Sequence, residues 1–104
     1  MGERADLRIT DFLQKVRQKY RVTEAIFFGS RARGEHLTDS DYDIILVSPD
    51  FRGIFFSQRS ALMYDFWNHW PLEIEPLCYT PEEFEHKKDQ LGIVSEAVKE
   101  GVFL

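Results

Sequence analysis

"FFGSRARGEHLTDSDYDIILV", residues 27–47, decides how this chain folds. Apolar runs stand at both ends, and between them lie Gly29-Ser30, Arg31, Arg33, and the aspartates Asp41 and Asp43 one residue apart. "TEAIFF", residues 23–28, predicts a short strand halted by Gly29, with Ser30 as the cap of a short helix beginning beyond it. "DYDIILVS", residues 41–48, is apolar on both faces after Asp43, which predicts an interior strand covered on both sides. The Gly-Ser pair ends the first strand and the aspartates begin the second. If those ends meet in one site between neighbouring strands, the strands run antiparallel, and the sheet is mixed or antiparallel rather than purely parallel.

Helical spacing surrounds this core. Leu7, Ile9, Phe12, Leu13, Val16 and Tyr20 predict a first amphipathic helix. Residues 49–53 carry turn chemistry, and Leu62, Met63, Phe66, Trp67 and Trp70 predict a helix over 57–70. "LEIEPLCYT", residues 72–80, alternates as a third strand, and Pro76 places it at an edge because proline cannot donate to a ladder. Thr80, Pro81 and Glu83 form a helix start, with a cap, a proline in the first turn and a carboxylate three residues after the cap. Ile93, Val94, Ala97 and Val98 continue as a last helix that Gly101 stops. The expectation is one α+β domain over residues 1–104, a small mixed sheet flanked by helices.

Two residues apart on a strand, Asp41 and Asp43 leave the same face with their backbones about 6 to 7 Å apart. Carboxylates that close repel, and a shared hard cation relieves them. Mg2+ suits such a pair, because it takes one or two carboxylates and leaves room for substrate phosphates. Gly29 permits close backbone approach, Ser30 and the amides after it can receive anionic oxygens, and Arg31 and Arg33 can add charged contacts to phosphate. Glu73 and Glu75, again two apart, can bring a third carboxylate to the same face. Taken singly, each of these residues also has a plain reading as a turn cap, an ion-pair partner or a surface side chain.

Composition narrows the functions. The 104 residues are 43% hydrophobic and 14% aromatic, with a formal net charge of −5, which argues against a general nucleic-acid grip. Cys78 is the only cysteine. It is expected as a small buried hydrophobe, and no Cys/His set has zinc spacing. No apolar leader or membrane-length run is present, so a cytoplasmic location is expected. His36, His69 and His86 lack the spacing of a metal pair. His36 can line the site from its loop, Asp39 fits a loop or capping role, and Phe66, Trp67 and Trp70 fit core or partner surface better than a base-stacking platform.

The spacing of Gly29-Ser30, ten residues, then Asp41-x-Asp43 resembles the signature of nucleotidyltransferases related to DNA polymerase beta. "GSRARG" (29–34) with "SDYDI" (40–44) is similar to their smallest group, the minimal nucleotidyltransferases, and the likeness extends through "IEPLCYTPEEF" (74–84) and "EAVKEGVFL" (96–104). The resemblance implies the polymerase beta palm-like fold. It implies that Gly29 and Ser30 hold the phosphates, that Asp41 and Asp43 bind two Mg2+ ions, and that Glu75 completes the acidic triad. Glu75 stands where many relatives have aspartate and Pro76 follows it, so Glu73 is kept as the alternative. The implied reaction moves a nucleotide, AMP from ATP, to a hydroxyl and releases pyrophosphate. Such chains commonly pair with HEPN-domain proteins in toxin-antitoxin systems and AMPylate them, whereas a catalytically weak relative would act as a binding antitoxin or regulatory subunit. Small size and aromatic content suit a complex or a homo-oligomer.

Overall fold

The first helix, α1 (Leu7–Lys19), begins where the Asp6 carboxylate accepts from the Arg8 amide. It buries Ile9, Phe12, Leu13 and Val16, the i, i+3, i+4, i+7 stripe of an amphipathic helix. The computed structural model describes residues 6–34 and 41–104. Chain order after α1 is β1 (Glu24–Phe28), α2 (Ser30–Arg33), β2 (Tyr42–Val47), α3 (Phe56–Met63), β3 (Ile74–Tyr79), α4 (Pro81–Lys87), α5 (Ile93–Glu100) and β4 (Val102–Phe103), with single 3-10 turns at Pro49–Phe51 and Tyr64–Phe66.

The sheet order is β3-β2-β1-β4. β1 pairs antiparallel with β2 and β4, while β2 and β3 run parallel, so the sheet is mixed. Strand alternation sorts the core into two layers. Ala25, Phe27, Tyr42, Ile44, Leu46, Ile74 and Cys78 pack with α1 and with Phe51 and Met63. Ile26, Ile45, Val47 and Tyr79 pack with Phe84 of α4 and Val94 and Ala97 of α5. Helices on both faces explain why β2 is apolar throughout after Asp43. β3 is an edge strand, as Pro76 requires, and Cys78 is buried.

The edge is sealed from α3. Arg59 is buried and donates to the carbonyls of Ile54 (2.8 Å) and Cys78 (3.1 Å) and to both carboxylate oxygens of Glu83 (2.6 and 3.3 Å). Glu83 also accepts from the Thr80 amide while Thr80 Oγ1 accepts from the Glu83 amide, closing the expected capping box of α4.

Three elements differ from expectation. Gly29, not Ser30, is the N-cap of α2, because the chain leaves β1 with φ of +86° at that residue, which a serine side chain would resist. The helix expected over 57–70 stops at Met63. After the 3-10 turn, Trp67 swings its indole N–H onto the Leu72 carbonyl (2.7 Å) and packs edge-on against Phe12, and Trp70 is left 85% exposed ahead of Pro71. β4 follows directly on Gly101. A Cβ at Gly101 would stand 2.5 Å from Ile26 Cγ2 and 2.6 Å from the Ala97 carbonyl oxygen, so glycine lets the end of α5 press onto β1.

Candidate active site

The register places one row of side chains across three strands, on the face covered by α4 and α5. Phe28 of β1 stands opposite Asp43 of β2, and Asp43 stands opposite Glu75 of β3. Asp41 precedes β2 and shares the parity of Asp43. Glu73 precedes β3, where its carbonyl accepts from the Tyr42 amide (2.9 Å). Because β1 ends where β2 and β3 begin, both halves of the motif reach the same rim of the sheet.

Asp43 is half-buried, and its carboxyl is pushed up to about 6. Burial is the largest cause, followed by the charges of Glu75 and then Asp41, and by a hydrogen bond with the Glu75 carboxyl, which requires a proton on one of the two. The carboxylates of the rim therefore repel one another. Gly29 closes it from β1, and a Cβ on Gly29 would overlap the Asp43 carboxylate. Gly29→Ala, which adds that Cβ at a positive φ, is expected to destabilise the protein by about 1–3 kcal/mol and to displace Asp43. Thermal melting checks the first effect, and a titration of the Asp43 carboxyl followed by NMR checks the second.

The remaining sequence candidates separate. Ser30 opens α2 beside Gly29. Arg31 is held on the opposite face of the sheet, its guanidinium 4.2 Å from the Tyr42 ring centroid and its Nη1 donating to the Tyr42 hydroxyl (3.2 Å). That hydroxyl also accepts from Arg8 (2.9 Å) and donates to Asp6 (2.9 Å). Arg33 lies on the carboxylate side and lines a cavity next to Gly29. His69 contacts Asp11 (3.1 Å) and the Trp67 ring, and His86 contacts Gln90 (3.0 Å). His36 and Asp39 lie outside the described residues.

Sequence reasoning passed over Tyr64. Its phenol is raised first by burial and then by the charges of Glu75, Glu73 and Asp41, so it lies within electrostatic reach of the acidic rim. No periodicity marks it, because only the turn after α3 brings it there.

Among the described residues, no three His, Cys, Asp or Glu side chains surround a common point as a ready metal cage. The donor set nevertheless fits a hard cation. It is all oxygen, its carboxylates repel one another, and Mg2+ usually keeps water and substrate phosphate in most of its positions.

The model of the nucleotidyltransferase domain family matches residues 9–104, a span that holds the whole carboxylate row. The chain belongs to the nucleotidyltransferase domain family. Its fold is similar to the crystal structure of a candidate nucleotidyltransferase from Sulfolobus solfataricus, with a TM-score of 0.60 and 24% identity over 78% of this chain and 71% of that one. No curated protein matches the sequence. This nucleotidyltransferase has no helix, among the described residues, long and apolar enough to cross a membrane.

Proposed function

We propose that this chain is a magnesium-dependent nucleotidyltransferase that moves AMP from ATP to a hydroxyl on a HEPN-domain partner protein, as the antitoxin of a toxin-antitoxin pair. The observation that carries the transfer reading is the register itself. Asp43 faces Glu75 across β2 and β3, with Asp41 on the same side, two residues upstream. The partner rests on the resemblance of residues 29–44 and of the chain's later segments to minimal nucleotidyltransferases.

Bound Mg2+, two ions by the generic arrangement, would neutralise the triphosphate and the charge that develops on the attacking and leaving oxygens. Asp41 and Asp43 would hold the donor's phosphates through such ions, and Ser30 would donate its hydroxyl to the phosphate tail beside the side-chain-free Gly29. Glu75 would accept the proton of the acceptor hydroxyl as its oxygen bonds to the α-phosphorus. The bridge from the α-phosphorus to the β-phosphate breaks, and pyrophosphate carries off the electron pair. Positioning and charge neutralisation supply most of the effect, so the protein needs no nucleophile of its own.

Labelled ATP with Mg2+, incubated with the protein and a co-expressed HEPN-domain partner, tests this reading. Label is expected on a partner side chain and absent with the Asp41→Asn, Asp43→Asn double variant. Glu75→Gln is expected to lower transfer by roughly a hundredfold or more. Glu73→Gln should change it only a few-fold, and the reverse order would move the third carboxylate to Glu73. The alternative outcome is a nucleotide-binding antitoxin without transfer. A stable complex that binds ATP and leaves the partner unlabelled would establish it.

A further inference from the structure

Beside the acidic rim lies a cavity of about 190 Å³, lined by Phe28, Gly29 and Arg33 on one side and by Ile93, Glu96, Ala97 and Glu100 of α5 on the other. It is continuous with the carboxylate row, because Gly29 is the residue whose α-carbon abuts Asp43 and Phe28 is the residue opposite Asp43. Its volume is below the about 300–1,000 Å³ of a complete small-molecule site, so it suits one part of a ligand whose remainder lies outside it.

The lining chemistry selects which part. Phe28, Ile93 and Ala97 supply an apolar floor, and Phe28 and Ile93 leave some of that surface open to solvent. Glu96 and Glu100, exposed and one turn apart on α5, supply acceptors, and Arg33 is the one cation among the described residues of the lining. A phosphate tail would meet two carboxylates against one guanidinium there, and it has no use for an apolar floor. A flat ring with N–H donors would stack on the floor and give hydrogen bonds to ionised acceptors, which are the stronger kind.

We propose that this cavity between β1 and α5 is the nucleoside subsite of the donor and selects an amino-bearing purine through Glu96 and Glu100. The proposal rests on the nucleotide-transfer reading. It assigns the base to α5 and leaves the phosphates on Gly29 and Ser30. Adenine presents an exocyclic amine to the carboxylates, whereas hypoxanthine presents a carbonyl oxygen at the same position and repels them.

Calorimetric titration of the full chain with ATP, ITP and inorganic tripolyphosphate, all with Mg2+, tests it. The wild type is expected to bind ATP about tenfold tighter than tripolyphosphate, the size of one base-stacking contact, and tighter than ITP. Ile93 is half exposed, so Ile93→Trp can fill the cavity without disturbing the core. It is expected to bring ATP down to the affinity of tripolyphosphate while leaving tripolyphosphate binding intact. The Glu96→Ala, Glu100→Ala double variant should erase the preference for ATP over ITP. Loss of two negative charges would tighten both nucleotides together, so the ratio isolates the base contact. Equal wild-type affinity for ATP and tripolyphosphate, or ratios unchanged in the variants, would overturn the nucleoside cavity and leave the transfer reading standing. A wild type that binds none of the three would overturn both.

Discussion

Replacing Asp43 by asparagine is expected to give a protein that is more stable and inactive. The carboxyl titrates near 6 in the folded chain against an ordinary value of 3.8. Between those values the folded protein holds a proton that the unfolded chain has released, so stability falls as pH rises through that window and stays lower above it. The full difference corresponds to about 3 kcal/mol. Because the side chain is partly exposed and solvent screens it, about 1–2 kcal/mol is the better figure. Asparagine never ionises and escapes this repulsion. In chelator at pH 7.5, Asp43→Asn should therefore melt roughly 5 °C or more above the wild type, and at pH 4 the two should nearly coincide. Transfer should fall by roughly a thousandfold. A variant that melts at or below the wild type at pH 7.5 would show that the carboxylates do not strain the fold. A variant that melts above it would make the same charge an asset only when a cation and a triphosphate arrive together.

The opposite outcome is expected at Glu83. The Arg59 side chain is 6% exposed and Glu83 is its carboxylate partner. Glu83→Ala strands a buried guanidinium on two carbonyls and also opens the capping box of α4. Breaking a buried pair from one side costs about 3–5 kcal/mol. The partial exposure of Glu83 points to the lower end, a fall in Tm of more than about 10 °C. Arg59→Met with Glu83→Leu should recover much of this, because no charge is then left alone. The wild type has a matching acid signature. The Arg59 guanidinium holds the Glu83 carboxyl below its ordinary 4.5, so the pair contributes fully above that pH and its contribution is lost as pH falls through the lowered value. Calorimetric scans from pH 3 to 7 would read both effects. An Ala variant within 1 kcal/mol of the wild type would mean that water satisfies Arg59.

Much of this arrangement was legible before any coordinates. The halves of the motif sit at opposite ends of their strands, so a site shared between neighbouring strands called for β1 and β2 to be antiparallel, and Pro76 pointed to an edge for β3. Strand parity pairs Asp41 with Asp43 and Glu73 with Glu75, whereas only the register of β2 on β3 brings the two pairs together. Other features depend on contacts that no spacing encodes. Two residues of β4 are too few to show alternation. Phe66, Trp67 and Trp70 keep helical spacing although the helix has ended, because an indole N–H finds a better partner at Leu72. Arg31 and Arg33 are alike in sequence, yet Tyr42 draws Arg31 to the other face of the sheet and Arg33 stays beside Gly29. Tyr64 comes within electrostatic reach of the acidic rim only through a turn closed by tertiary packing.

The pairing of Phe28, Asp43 and Glu75 across three strands also sets what lengths of chain natural variation can sample. A residue inserted or deleted inside β2 would turn Asp43 toward α1 and Tyr42 toward α5, burying an unpaired carboxylate and unpacking an aromatic core in a single event. The same slip in β3 would exchange Glu75 with Ile74. Foldability and acid placement thus fail together, so purifying selection for a packed sheet alone would keep the acidic row in register even in a descendant that had ceased to use it.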